Sequence, residues 1–206
     1  MIFGTAMLRG LVLLLVVALS ACSSLREASA PVDDSMAQRI AQLSLLDDWS
    51  MQGRIAVKQP EGSGQGKILW EQAGETADIG LAGPLGAGAI NIHWVPDELT
   101  MVGADLDVQH RYTGGDAAEQ FLAEQLGWQF PAASIRYWLL GIPNPGYQFE
   151  QEFGEAGELL SISQLGWRVQ YQRFARVDAH LLPSKLEIQN TEVRLRLIVD
   201  SWSLGD

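Results

Sequence analysis

Cysteine is all but missing from this sequence. Cys22 is the single one in 206 residues, which excludes a disulfide framework and any thiolate-rich zinc or iron–sulfur centre. Histidine is nearly as scarce, and His93, His110 and His180 fall in no ligand spacing. Basic residues are outnumbered, 14 Lys and Arg against 25 Asp and Glu, for a formal net charge of −11. Nucleic acid recognition needs a clustered basic surface, so that balance argues against it, and the same sign repels acidic lipid headgroups. The longest apolar run, Leu11 to Leu19, has roughly half the length a membrane-spanning helix needs. Gly62-x-Gly64-x-Gly66 lacks the spacing and the strand-to-helix setting of a dinucleotide loop, and there is no Gly-x-Ser-x-Gly elbow. Asp105-x-Asp107 is an acidic pair beside a turn in an acidic chain. These absences predict no metal, no cofactor and no catalytic site. What remains is an ordinary globular balance, 47% hydrophobic and 19% charged, in a length that suits one domain.

The N-terminus is a processing segment. Arg9 precedes the apolar run, which ends in Leu19-Ser20-Ala21-Cys22, and this tetrapeptide resembles the lipobox of bacterial lipoproteins. The resemblance implies cleavage before Cys22 and acylation of that residue. In such lipoproteins an aspartate after the cysteine commonly retains the protein in the inner membrane; Ser23 stands here, which favours the outer membrane. Met7 offers an alternative start with a conventional short n-region. The expected organisation is a signal peptide over 1–21, a lipidated N-terminus and flexible tether over 22–34, and one folded domain over 35–206.

Met36, Ile40 and Leu43 recur at helical spacing behind Asp34 and Ser35, predicting a short amphipathic helix. From Trp49 the period becomes two: Trp49, Met51, Gly53, Ile55 and Val57 alternate with Ser50, Gln52, Arg54, Ala56 and Lys58. Pro60 to Gly64 reads as a turn, with the returning strand over Lys67 to Glu71. Further strands are expected at 77–81, 89–94, 99–102 and 108–112. Asp116 and Glu119 stand in capping-box register ahead of Phe121, Leu122 and Leu126, predicting a helix over 116–125. A second helix, from Ala132 or Ser134, stops at Gly141. Strands resume at 147–152, 159–164, 167–174, 185–189 and 193–202. Ten or eleven strands with short links and a helical insert predict one strongly curved antiparallel sheet with helices on its concave face. Seven tryptophans spread over nearly every element serve either as core or as an aromatic cavity lining.

One loop stands out. Gly83-Pro84-Leu85-Gly86-Ala87-Gly88 has turn composition but carries a bare leucine at its tip. Leu85 either folds back on the core or forms an apolar finger, and one leucine entering a membrane interior contributes about 1.5–3 kcal/mol.

Taken in order, Trp49-x-x-x-Gly53-Arg54-Ile55-Ala56-Val57, Gly66 through Trp70-Glu71-Gln72, Gly83-Pro84-Leu85-Gly86, Gly127-Trp128-x-x-Pro131, Tyr137 through Pro143, and Gln164-x-Gly166-Trp167 with Leu182-Pro183 resemble the LolB family of outer-membrane lipoprotein receptors. The resemblance implies an unclosed antiparallel β-barrel with a helical lid over a hydrophobic cavity. It implies a protein anchored in the outer membrane by lipid at Cys22 and facing the periplasm. For the oligomeric state, a monomer is the default expectation. Such a receptor accepts acylated lipoproteins from the periplasmic carrier LolA and inserts them into the inner leaflet of the outer membrane, without nucleotide hydrolysis. By motif, Pro84, Leu85 and Gly86 match the family's membrane-insertion loop. The candidate cavity or lid residues are Trp49, Ile55, Trp70, Phe121, Leu122, Trp138, Leu139 and Trp167. Two other readings differ in what they require. A structural or assembly-accessory lipoprotein needs a protein-binding groove, and a lipid or cell-wall hydrolase needs converging catalytic groups.

Overall fold

The computed structural model describes residues 32–86, 88–103 and 109–205, less the side chains of 32–35 and of Leu85. The signal segment 1–21, Cys22, the tether as far as Pro31, the Asp105/Asp107 pair and the side chain of Leu85 therefore lie outside the described residues.

Eleven strands are found among the described residues: β1 (Asp48–Gln59), β2 (Gly62–Ala73), β3 (Thr76–Ala82), β4 (Ile90–Val95), β5 (Glu98–Gly103), β6 (Gln109–Thr113), β7 (Glu150–Phe153), β8 (Leu159–Gln164), β9 (Trp167–Val177), β10 (His180–Gln189) and β11 (Arg194–Leu204). They form one antiparallel sheet in the order β6-β5-β4-β3-β2-β1-β11-β10-β9-β8-β7. The first strand pairs with the last, Ile55 opposite Leu197, so both halves of the chain meet at the centre of the sheet. β6 and β7 are its two edges, and the barrel stays unclosed. Short antiparallel links leave no room for parallel crossovers, which is why the antiparallel character of the sheet was legible from the sequence, whereas the pairing of β1 with β11 was not.

Among the described residues three α-helices accompany the sheet: α1 (Val32–Leu43), α2 (Ala117–Leu126) and α3 (Ala132–Leu140). Met36 and Leu43 of α1 and Phe121 of α2 are buried, as are Trp138, Leu139 and Leu140 of α3. They join the inward-facing Trp49, Met51, Ile68, Trp70, Val169 and Leu186 in one core. The Phe121 ring meets Tyr112 of β6 edge-on, with centroids 5.8 Å apart. Phe130, between α2 and α3, lies edge-on to both Trp138 and Trp167, at 6.0 Å and 4.7 Å. Such contacts are worth about 0.5–1.5 kcal/mol each beyond the area they bury.

The structure departs from the expected boundaries at several places. α1 starts at Val32, inside the segment expected to be tether. The predicted capping box of α2 does not form. Asp116 makes no capping bond and instead accepts a hydrogen bond from Gln120 Nε2 at 2.7 Å, while Glu119 Oε1 accepts one from the Ala133 N–H at 3.4 Å. β2 begins at Gly62 rather than Lys67, and β10 at His180 rather than Lys185. β7 begins only at Glu150, because the chain at Tyr147 is held by a side chain instead of a strand partner.

Candidate functional site

The pairing register puts the β1–β2, β3–β4, β8–β9 and β10–β11 turns at one end of the sheet, since Lys58 faces both Ser63 and Arg194, and Gln189 faces Arg168. The other end gathers the β2–β3, β4–β5 and β9–β10 turns and the carboxyl end of α3. The two ends are built differently.

At the second end the concave face is closed. Arg39 of α1 donates from Nε to the Gly141 carbonyl and from a terminal nitrogen to that of Leu140, both at 2.9 Å. A cation at the carboxyl end of α3 is favoured by the helix dipole. Gly141 ends α3 with φ of 77°, and a Cβ there would lie 2.6 Å from the Arg39 guanidinium, so glycine serves both the turn and the contact. The guanidinium also sits 5.3 Å from the centre of the Phe174 ring. Burial pulls its pKa down, opposed by the neighbouring Tyr171. Burial pushes the Tyr171 phenol well above its ordinary range, opposed by Arg39, and its O–H donates to the Trp138 carbonyl at 3.0 Å.

Gln164 organises the loop that follows α3. Its Oε1 accepts from Trp138 Nε1 and from the Asn144 N–H, both at 3.0 Å, and its Nε2 donates to the carbonyls of Asn144 and Tyr147 at 2.9 and 3.0 Å. Asn144 in turn donates to the buried Ser134 hydroxyl. Gln72 acts similarly at the β2–β3 turn, accepting from Trp70 Nε1 and donating to the carbonyls of Gly74 and Thr76.

At the first end the concave face is only half covered. Ile55, Val57, Ile79, Leu81 and Ile90 pack against the core yet remain partly exposed, as does Trp94 towards the other end of the sheet. They share a face because Ile68 pairs with Leu81, Leu81 with Ile90, Ile79 with Ile92, and Ala77 with Trp94. Val57 pairs with Gly64 and Ile55 with Gly66, so at these positions β2 presents no side chain on that face. A Cβ on Gly64 would meet nothing within 4 Å. The result is a half-exposed apolar wall with room for a side chain at Gly64. The segment between α2 and α3 overhangs this end, where Trp128 Nε1 donates to Gln59 Oε1 at the tip of β1.

The wall leads to the β3–β4 connection, flanked by Leu81 and Ile90. Pro84–Gly86 forms a single 3₁₀ turn closed by the Gly86 N–H on the Gly83 carbonyl at 3.0 Å, and Pro84 and Gly86 are exposed. The connection leaves the ladder against Gly66, whose Cβ would stand 2.5 Å from the Ala82 carbonyl oxygen. Any larger residue there would displace the loop.

Of the residues named from sequence, Trp49, Trp70, Phe121, Trp138, Leu139 and Trp167 lie in the closed core. Ile55 is on the half-open wall, and Leu122 packs partly buried against the core. Sequence reasoning missed Val57, Ile79, Leu81, Ile90 and the part played by Gly64. The available signal was phase: Gly62, Gly64 and Gly66 recur every second residue, as the inward positions of a strand do. His93, His110 and His180 sit on three different strands, β4, β6 and β10, and His93 Nδ1 lies 2.7 Å from Asp78 Oδ1. Among the described residues no three His, Cys, Asp or Glu side chains are grouped to hold a metal, and no helix is long and apolar enough to cross a membrane. A separate open hollow of about 1210 Å³ lies between the loop after α3 and the β8–β9 and β10–β11 turns, beside the exposed Tyr147, Phe149 and Leu165.

The fold is shared with a LolA-superfamily protein of Nitrosomonas europaea, at a TM-score of 0.55 and 11% identity over 86% of this chain and 95% of that one. An outer-membrane lipoprotein LolB of Nitrosococcus oceani is 31% identical over 198 residues, 95% of this chain and 96% of that protein. One from Pseudomonas putida is 35% identical over 162 residues, 79% of this chain and 77% of that protein. Residues 47–202 match the family model described as outer membrane lipoprotein LolB, and with the wall, the overhanging helices and the β3–β4 loop all inside that span, the chain belongs to the LolB family.

Proposed function

We propose that this chain is an outer-membrane lipoprotein receptor that shelters the acyl chains of lipoproteins and passes them into the inner leaflet of the outer membrane. The observation that carries the reading is the half-open apolar wall of Ile55, Val57, Ile79, Leu81 and Ile90, left without a side chain at Gly64 beside Val57 and ending at a loop whose tip is leucine by sequence. Each methylene kept from water is worth about 0.8 kcal/mol, so acyl chains must move from one apolar shelter to another. A carrier of the LolA kind that holds the chains less tightly, and a membrane that holds them most tightly, make the transfer downhill without nucleotide. The chain's own residues bind and orient; no catalytic step is required of them. Cys22 carries the lipid anchor, the residues up to Val32 give reach, and the body faces the periplasm as a monomer.

The test is reconstitution: purified protein, a carrier–lipoprotein complex and outer-membrane vesicles, with the lipoprotein followed to its final location. Leu85→Glu should accept the lipoprotein normally and lower delivery to vesicles by about tenfold to a hundredfold, the worth of one leucine in an apolar interior. Normal delivery by that variant, or loss of acceptance, would overturn the assignment of the loop.

The hollow beside Tyr147, Phe149 and Leu165 favours a second reading, an assembly-accessory lipoprotein that binds a protein there. Tyr147→Ser with Phe149→Ser would then abolish activity, whereas on the receptor reading acceptance and delivery continue.

A further inference from the structure

The net charge of −11 hides a strong separation of sign. Of the twelve Lys and Arg in residues 32–205, nine fall on β1, β2, β9, β10 and β11. Cross-strand partners share a face, and the register places Lys67, Arg54, Ile198, Lys185 and Arg173 side by side in one row across five strands. That row is on the convex face, opposite the wall, because Arg54 alternates with Ile55 along β1. In the adjoining rows Arg196 stands beside Ala56 and Arg194 beside Lys58. Carboxylates on this face include Asp200, which pairs with Arg54, Glu187, which takes both Arg194 and Arg196, and Glu71, opposite Ser50 towards the other end of β2. Lys58, Lys67, Arg173 and Lys185 have no ion pair among the described residues.

This face adjoins the β3–β4 loop. Arg54, Lys67 and Arg196 line a hollow of about 370 Å³ together with Ala56, Ile198 and Pro84. Cations and an apolar turn in one hollow match the order of a lipid leaflet, where phosphates lie just above the acyl layer. The distant acidic side chains do not cancel the local field, since charges are screened beyond about 8 Å at physiological salt. An acidic protein would satisfy the cations but gives no reason for the turn beside them.

We infer that the convex face of β1, β2, β10 and β11 around Arg54, Lys67 and Arg196 binds anionic phospholipid headgroups, orienting the β3–β4 loop towards the leaflet. This rests on the reading of that loop as the part that meets the membrane. Each cation near an anionic surface contributes about fivefold in affinity.

The experiment compares vesicles of phosphatidylcholine with vesicles that also contain phosphatidylglycerol, using the mature chain from residue 22 with Cys22→Ser so that no anchor contributes. Binding should be tighter to the anionic vesicles and should weaken with salt. Lys58→Gln/Lys67→Gln/Lys185→Gln removes two exposed charges and the half-buried one of Lys185, none of which holds an ion pair among the described residues, and should lower affinity for anionic vesicles at least tenfold with unchanged thermal melting and unchanged phosphatidylcholine binding. Equal affinity for both vesicles, or a triple variant that binds anionic vesicles like the parent, overturns the inference. So does a triple variant that loses affinity for the carrier protein alone, which would assign the face to an acidic protein. Delivery by Leu85→Glu is read separately: failure of the loop reading appears there, and failure of the headgroup site appears in the vesicle comparison.

Discussion

Gln164 is buried with all of its hydrogen-bonding capacity used by Trp138, Asn144 and Tyr147. Replacing it by leucine leaves the Trp138 indole N–H and the Asn144 N–H without partners inside the protein. Each such loss costs about 1–3 kcal/mol, so Gln164→Leu should destabilise the fold by about 2–4 kcal/mol in urea unfolding. The Gln164-x-Gly166-Trp167 pattern was visible in the sequence, but its meaning was not, because its partners lie 17 to 26 residues away in the chain. Tyr171 gives a prediction in pH. Its phenol stays protonated in the folded state, whereas the unfolded chain releases that proton above about pH 10. The stabilisation is therefore complete below that pH and is lost above it, with a slope of about 1.4 kcal/mol per pH unit from this group. Tyr171→Phe loses a hydrogen bond but should show a shallower alkaline decline than the parent; equal slopes would contradict the assignment.

Among elements, the strands were legible wherever one face is buried and the other wet, as in the first half of β1 and the second half of β2. Legibility failed where tertiary contacts set the boundary. β7 starts late because Gln164 holds Tyr147, and the capping box at Asp116 is replaced by bonds to Gln120 and Ala133. The attachment of α1 was also invisible, since nothing marks Arg39 as the residue that reaches the end of α3. Arg39→Ala removes two charge-assisted bonds and a favourable charge at a helix terminus, together about 2–3 kcal/mol. The expected result is local: faster amide hydrogen exchange over 36–43, with the protection of β1 and β11 kept. Uniform loss of protection across the sheet would mean that α1 is integral to the core.

On the scale of the whole molecule, the sheet is a divided object, closed by helices at one end and half-open at the other. The tryptophans drew attention in the sequence because they are large, yet Trp49 and Trp70 fill the closed end and Trp138 and Trp167 are buried in the core. The open end is made by what is small. Gly64 lies opposite Val57, and a Cβ there meets no atom within 4 Å, so a larger side chain has room and the strand conformation tolerates it. Gly64→Phe should therefore leave thermal stability equal or slightly higher, since glycine weakens a strand interior. It would also occupy space over the wall equal to a few methylenes of an acyl chain, at about 0.8 kcal/mol each. Acceptance of an acylated lipoprotein, or binding of a fluorescent fatty acid, should then fall by at least tenfold while vesicle association through the β3–β4 loop persists. A Gly64→Phe protein that accepts its cargo like the parent would place the acyl site elsewhere, and attention would pass to the hollow beside Tyr147 and Phe149 at the same end of the sheet.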